Sequence, residues 1–160
     1  MTKKHLRETV IRIKLKEIAD GISLVQQHLP ATAGEFRTLG LVKDGIYNRT
    51  EFAIENVFDI CAIINTDLAL GVPGDDEDIL VHLLDKDLIS RSMQEKIHLM
   101  RGFRNIVVNR YGTIADTLAF QLLTGNIGDF SFLQPGLRKV PDRYRQALHH
   151  RLLSHRHLRA

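Results

Sequence analysis

Apolar residues in the first thirty positions recur at steps of three and four, and this spacing constrains the fold more than any other feature of the sequence. A helix completes one turn in about 3.6 residues, so these steps place the apolar side chains in one stripe along one face. The stripe ends before Pro30, which cannot continue a helix. Its members are Ile11, Leu15, Ile18, Ile22, Val25 and Leu29.

Three further segments have helical character. A long helix is predicted from about Leu41 to Leu70, because apolar residues are dense there and no proline interrupts them. Acidic residues from Asp75 onward predict the start of a shorter helix, since the helix dipole favours negative charge in the first turn. Ser90 is the expected N-cap of a last long helix that runs to about Leu123.

No segment alternates apolar and polar residues for long enough to predict a sheet. With a short helix over residues 32–39, the sequence predicts an all-α, up-and-down bundle of four main helices plus a short one. The glycines and Pro135 that follow indicate that the helical part ends after residue 123. Phe130 and Phe132 are then expected to point the same way from extended chain and to pack across the end of the bundle.

The positive charge of the chain is concentrated at its C-terminal end. A length of 160 residues suits one domain. Residues 1–139 hold 17 Lys and Arg against 18 Asp and Glu, whereas residues 140–160 hold 5 against 1. The body therefore lacks the all-over basic surface of many nucleic-acid-binding proteins. We predict a helical domain over residues 1–139 and a basic tail over 140–160, solvated or vector-derived, whose four histidines match no closed metal site.

The single cysteine, Cys61, rules out an intramolecular disulfide and is typical of a reducing compartment. No apolar run approaches the roughly 20 residues that a membrane span needs. The first residues are charged, unlike a signal peptide. We therefore expect a cytoplasmic protein without a membrane segment.

The stretch "RGFRNIVVNRY", residues 101–111, groups the residues most suited to a negatively charged ligand. On a helix, Arg101, Asn105 and Asn109 form one row at steps of four. Arg104 lies about 140° around the helix from Asn109. Its guanidinium is always charged and matches the geometry of a phosphate. The alternative interpretation is a solvated helix face with no ligand.

The long central helix carries a polar strip on an otherwise apolar background. Carboxylates on a buried helix need partners, and we expect the arginines of residues 101–111 to supply them. Two interpretations remain open, since the ion pairs either fix helix packing or orient Arg104. The strip consists of Asn48, Glu51, Glu55 and Asp59, of which Glu55 and Asp59 are candidates for supporting the site.

The segment "FRNIVVNRY", preceded by "YNRTEFAIENVFDICAIIN", strongly resembles the HepT-like toxins of the HEPN superfamily. The resemblance covers roughly residues 5–140. The family signature is an arginine, four to six residues, a histidine, one residue and a tyrosine. Arg104 and Tyr111 match the arginine and the tyrosine, and Asn109 stands at the histidine position.

This resemblance implies an endoribonuclease that uses no metal or other cofactor and forms a homodimer whose two motif helices face each other across a cleft. Arg104 would bind the scissile phosphate and stabilise its growing charge. The signature histidine would move the proton of the attacking 2′-hydroxyl of the RNA. Tyr111 would be the hydroxyl to which a partner, a minimal nucleotidyltransferase antitoxin, adds AMP, and the added charge and bulk would block the cleft.

Asn109 departs from the signature at the residue that matters most for catalysis. Asparagine has no proton that titrates near neutral pH, so the chain is predicted to cleave RNA poorly or not at all. Either a laboratory substitution or a natural loss of activity fits this residue. The leading hypothesis is a toxin of a toxin–antitoxin pair, disabled by Asn109 and silenced by AMPylation of Tyr111. The competing hypothesis is a non-catalytic helical module that binds RNA or protein.

Overall fold

Helices make up almost all of the described chain. The computed structural model describes residues 5–108 and 112–157, and the side chains of residues 5–106 and 115–154. Within these ranges it contains eight helices and no strand, which confirms the predicted all-α fold. The helices are α1 (Glu8–His28), α2 (Ala33–Arg37), α3 (Leu41–Asp67), α4 (Asp76–Asp85), α5 (Arg91–Val108), α6 (Gly112–Asn126), α7 (Gly128–Arg138) and α8 (Val140–His157).

Helices α1 and α3 form an antiparallel pair at the centre of the bundle. Arg7, just before α1, donates from Nε to the carboxylate of Asp67 at the end of α3, at 3.0 Å. At the other end of the pair, Val25 of α1 and Ile46 of α3 line the same groove. The predicted stripe of α1 packs against α3, and its buried members are Ile11, Leu15, Ile18, Ile22 and Val25.

Helix α3 is buried around most of its circumference, because α1, α4 and α5 all pack against it. Tyr47, Ile54, Ile60 and Ile64 are each no more than 1% exposed. Burial, helped by the charge of Asp76, raises the pKa of the Cys61 thiol to about 12. Cys61 therefore stays protonated and behaves as a small apolar residue of the core.

Two predicted helix starts are confirmed by their capping hydrogen bonds. The Asp75 carboxylate accepts the backbone N–H of Asp78 at 3.0 Å at the start of α4. The Ser90 hydroxyl accepts the backbone N–H of Met93 at 3.1 Å at the start of α5. Each cap satisfies a backbone donor that has no partner inside the helix.

The prediction that the helical part ends after residue 123 is wrong. Helix α6 continues to Asn126, and α7 follows almost at once. Phe130 is 5% exposed, whereas Phe132 is 49% exposed, so the two side chains do not point the same way. Successive residues of a helix are 100° apart, so Phe130 joins Leu133 and Leu137 on the buried face and Phe132 does not.

Helix α7 contains Pro135 and docks closely on the body despite it. Pro135 has no backbone N–H to donate to the Ser131 carbonyl. Both residues are exposed, so water can solvate that carbonyl. The Gln134 amide donates to the Leu15 carbonyl of α1 at 2.8 Å. A Cβ atom at Gly136 would lie 2.5 Å from Sδ of Met93, so glycine permits the close approach of α7 to α5.

The basic helix α8 is attached to the body by its first turns. Val140 is fully buried, and Tyr144 packs against the core. Arg143 donates to the Leu88 carbonyl at 3.1 Å, and Arg145 pairs with Glu8 of α1. The proposed boundary at residue 139 falls between α7 and α8, and the separate nature of residues 140–160 stays a prediction.

The pairing of Asp67 with Arg7 predicts a pH-dependent contribution to stability. Burial raises the pKa of Asp67, but the hydrogen bonds and the charge of Arg7 outweigh it and lower the pKa below 3.8. A carboxyl with a lowered pKa stabilises the fold above its unfolded-state pKa, and this contribution is lost as the pH falls through the folded-state pKa. We expect Asp67→Asn to lower Tm at pH 7, and the difference to shrink below about pH 4.

Thermal unfolding followed by circular dichroism measures this effect, with Asp20→Asn as the control. Asp20 pairs with Lys16 on the surface of α1, and their side chains are 65% and 76% exposed. Exposed pairs of this kind contribute little, so the control should leave Tm nearly unchanged. A Tm difference for Asp67→Asn that is the same at every pH would contradict the assignment.

Candidate functional site

Helix α5 presents the described part of the candidate site on its polar sides. Its apolar row faces the core, which fixes the rotation of the helix. Arg101 and Arg104 are half-buried and Asn105 is exposed. Buried residues of the apolar row are Met93, Ile97, Met100 and Phe103.

Arg101 is held by the first turn of α4. Its guanidinium lies 3.2 Å from the carboxylate of Glu77. The same carboxylate oxygen lies 2.9 Å from Nδ1 of His98, one turn earlier on α5. The side chains of Arg101 and Glu77 are 36% and 32% exposed, so water screens the pair only in part. Arg101 therefore ties α5 to α4.

Arg104 differs from Arg101 in its surroundings. Among the side chains and backbone groups of the described ranges, none forms a hydrogen bond or an ion pair with the Arg104 guanidinium. The side chain is nevertheless half-buried. A partly desolvated guanidinium interacts with an anion more strongly than a fully hydrated one, so Arg104 is suited to bind a phosphate.

Asn109 and Tyr111 lie outside the described residues. Helix α5 is described as far as Val108 and α6 from Gly112 onward, so both positions lie between the two described ranges. The predicted geometry of Arg104 relative to Asn109 and Tyr111 therefore stays a prediction.

The polar strip of α3 does not pair with the described arginines of α5. Asp59 is exposed and accepts from Lys14 of α1 at 3.1 Å, and Glu55 is exposed to solvent. The expectation that Arg101 or Arg104 pairs with these carboxylates is wrong for Asp59. Its partner is Lys14, because α1 lies along that side of α3. The Asp59 pair thus joins α1 to α3, as in the packing interpretation.

Lys14 also connects Asp59 to a buried amide on α3. It donates to Oδ1 of Asn56 at 3.3 Å, and the Asn56 amide donates to Glu17 at 3.1 Å. Asn56 is 2% exposed, so these bonds satisfy a polar group that water cannot reach.

Sequence reasoning missed a group of polar residues around the start of α6. Asp116 of α6 is bound by Tyr47 and Lys43 of α3, and Thr117 is bound by Arg37 of α2. The available signal was a single carboxylate in the stretch "TIADTLAF", whose other residues are apolar or threonine. An acid among apolar residues of a helix usually has a partner.

No group of three or more His, Cys, Asp or Glu side chains in the described ranges is arranged to hold a metal ion. No helix there combines the length and the apolar character needed to cross a membrane.

A family profile described as Ribonuclease HepT-like matches residues 18–134, which is most of the chain and includes the stretch from Arg104 to Tyr111. The chain belongs to the HepT-like family. The resemblance inferred from the signature residues is therefore confirmed at the level of the family. No curated protein matches the chain at a significant level.

Solved structures of HepT-like proteins share the fold. A mutant of the MntA–HpeT toxin–antitoxin complex matches with 23% sequence identity and a TM-score of 0.71, over 81% of this chain and 98% of that one. A tri-AMPylated HEPN toxin of Shewanella oneidensis, in complex with its MNT antitoxin, matches with 22% identity and a TM-score of 0.70, over 81% and 96% of the two chains. These matches support the fold of the HepT-like chain described above.

A third structure extends the likeness to a larger part of the chain. YutE, a cytosolic protein of unknown function from Bacillus subtilis, matches with 16% identity and a TM-score of 0.63. The match covers 92% of this chain and 94% of YutE. The helical arrangement is thus shared by proteins of low sequence identity.

The surroundings of Arg104 predict that it contributes little to folding. Arg104→Ala removes no ion pair or hydrogen bond of the described residues, so Tm should stay within about 2 °C of the unaltered value. Arg7→Ala is the matched control, because it removes the contacts to Asp67, whose side chain is only 10% exposed. Thermal unfolding of both variants should give a clear loss only for Arg7→Ala. An equal loss for Arg104→Ala would mean that Arg104 is a packing residue.

Proposed function

We propose that this HepT-like protein is the toxin of a two-component toxin–antitoxin system, an endoribonuclease by descent that is disabled here by Asn109. Its partner is a minimal nucleotidyltransferase antitoxin that silences it by adding AMP to Tyr111. The observation that carries the proposal is the HepT-like match over residues 18–134, because this range contains the whole signature stretch. The protein acts in the cytoplasm, where RNA and the antitoxin are available.

The surroundings of Arg104 support its role as the phosphate-binding residue. Arg101, three residues earlier, is engaged by Glu77 and would have to give up that pair to bind RNA. Arg104 has no such competitor among the described residues. Phosphate binding at Arg104 therefore costs no existing ion pair there, and the guanidinium can form two parallel hydrogen bonds to phosphate oxygens.

The proposed reaction needs a group at position 109 that can take up a proton. The 2′-oxygen of the RNA forms a bond to the adjacent phosphorus, the bond from phosphorus to the 5′-oxygen breaks, and the 2′-hydroxyl proton passes to an imidazole at position 109. The departing 5′-oxygen takes up a proton from water and leaves as a hydroxyl. Arg104 stabilises the charge that grows on the phosphate, without a metal ion. Asn109 accepts and donates hydrogen bonds but cannot take up the proton, so cleavage stops at this step.

Solved relatives support the antitoxin and AMP part of the proposal. One structure of similar fold is a tri-AMPylated HEPN toxin in complex with an MNT antitoxin. Tyr111 occupies the signature tyrosine position of this chain. Phosphate charge added there would repel the RNA backbone from Arg104.

A homodimer completes the proposed site by bringing two signature stretches together. Leu99 on α5 and Leu118 on α6 are 60% and 42% exposed, so the two helices that flank the signature carry apolar side chains on the surface. Burial of these side chains against another protein surface would remove apolar area from water. A second copy of the chain is the proposed occupant.

The second candidate function is a non-catalytic helical module that binds RNA or protein through the same surface. Asn109 is the observation that favours it, since the chain as it stands lacks the signature base. Such a module would bind RNA through Arg104 and release it intact, whichever residue occupies position 109. The two functions therefore differ in the behaviour of an Asn109→His variant.

Asn109→His is expected to restore RNA cleavage. A single-stranded RNA oligonucleotide should be cut in buffer that contains EDTA, and the products should end in a 2′,3′-cyclic phosphate, because the 2′-oxygen is the nucleophile. The unaltered chain should cut at least about 100-fold more slowly, the usual size of a lost general base. Gel electrophoresis and mass spectrometry of the products measure both quantities.

Two controls make this result specific. An oligonucleotide with 2′-deoxyribose at the cleaved nucleotide should resist the Asn109→His variant, and Asn109→Gln should stay inactive. Intact RNA after prolonged incubation with high concentrations of Asn109→His would exclude the ribonuclease and leave the binding module.

Tyr111 is expected to accept AMP when the chain is coexpressed with a minimal nucleotidyltransferase antitoxin. Intact-mass spectrometry should find a gain of one or more AMP units, since the phenol is the acceptor. Tyr111→Phe keeps the ring and removes the hydroxyl, so the gain should vanish. Tyr144→Phe, on α8, is the matched control and should leave the gain unchanged. A gain that survives Tyr111→Phe would assign the modification to another residue.

A further inference from the structure

The start of α6 is bound by α3 through both oxygens of one carboxylate. The Tyr47 hydroxyl donates to Oδ1 of Asp116 at 2.6 Å. The Lys43 ammonium lies 2.9 Å from Oδ2 of the same group. Tyr47 is 1% exposed, and the side chains of Lys43 and Asp116 are 22% and 14% exposed. We call these three residues the Asp116 anchor.

Helix α2 holds the same part of α6 from another direction. Arg37 donates to the hydroxyl of Thr117 at 2.9 Å, next to Asp116. Phe36 lies between Tyr47 and Phe120, with ring centroids 5.6 Å apart in both pairs. The first turns of α6 are thus fixed by polar bonds and by aromatic packing at once.

The Asp116 anchor lies directly after the signature stretch. Asp116 follows Tyr111 by five residues, and α6 begins one residue after Tyr111. On the other side of the signature, Phe103 and Met100 fix α5 in the core. The two helices on either side of the signature stretch are therefore each held by residues outside it.

Folding alone does not require this arrangement. Apolar residues of similar volume would bury the start of α6 at least as well, because a buried ion pair gains little over apolar packing. Hydrogen bonds add direction, which apolar contacts lack, so they fix the rotation and the axial position of α6. A fixed orientation of α6 next to the signature stretch is most useful if a reacting group there has to be aligned with a phosphate.

We infer that Tyr47, Lys43 and Asp116 are positioning residues of the ribonuclease site. They fix the rotation and the axial position of α6, the helix that follows the signature stretch, relative to the core that also holds Arg104 on α5. This inference rests on the proposed function for its catalytic part. Its structural part, the fixing of α6 by the anchor, is independent of any activity.

Hydrogen exchange of the otherwise unaltered chain tests the structural part. Tyr47→Phe removes one hydroxyl and keeps the buried ring, so the fold should persist. Amides from Gly112 to about Phe120 should exchange several-fold faster, while those of α1 and α4 keep their rates. Asp129→Asn is the matched control, because its pair with Lys96 is similar at 3.0 Å, with side chains 29% and 17% exposed, and joins α5 to α7.

Cleavage kinetics in the Asn109→His background test the catalytic part. Adding Tyr47→Phe should lower kcat about tenfold and leave KM within about twofold, because misplacement of a reacting group slows the chemical step more than RNA binding. Asp116→Asn, which keeps an acceptor for Tyr47 and loses the charge facing Lys43, should give an intermediate kcat. Asp129→Asn should change neither quantity.

The outcomes separate the inference from the proposed function. Unchanged exchange in α6 for Tyr47→Phe overturns the anchor, and faster exchange with an unchanged kcat overturns its positioning role. Faster exchange in α6 together with an Asn109→His variant that cuts no RNA supports the anchor and rejects the ribonuclease. Faster exchange with the expected fall in kcat supports both.

Discussion

The burial of α3 on nearly all sides is the constraint on which the rest of the fold depends. α1, α4 and α5 pack directly on this helix, and α6 is bound to it through Tyr47. The positions of the surrounding helices are therefore set relative to one common element. Arg104 on α5 and Asp116 on α6 owe their relative placement to α3, since both of their helices contact it. The relative placement of these two residues therefore depends on the packing of the core.

Local signals in the sequence were sufficient to predict most of the helices. Ser90 caps α5 as expected, because a side-chain cap depends only on residues three positions apart. Helix α7 was missed, since Gly128 and Pro135 favour a turn when they are considered alone. Burial of Phe130 and Leu133 against the body stabilises that helix, and tertiary contacts of this kind leave no local signal.

Fewer of the contacts around the candidate site than of the helices could be predicted from the sequence. Arg104 was predicted as a site residue because a family signature and a charge pattern coincide in one stretch of the sequence. The pairing of Asp59 with Lys14 of α1 was not predicted, because charge complementarity alone does not identify which helix packs beside α3. Tyr47 and Asp116 are separated by 69 residues, and neither periodicity nor composition connects them. Pairings of this range follow only from the packed structure.

The contacts on either side of the signature stretch show how its flanking helices are held. Phe103 fixes α5 before the signature position 109, and Asp116 fixes α6 after it. Both contacts are made by residues outside positions 109–111 and join their helices to the core. The packing of α5 and α6 in the described ranges is therefore set by side chains that lie outside the signature stretch.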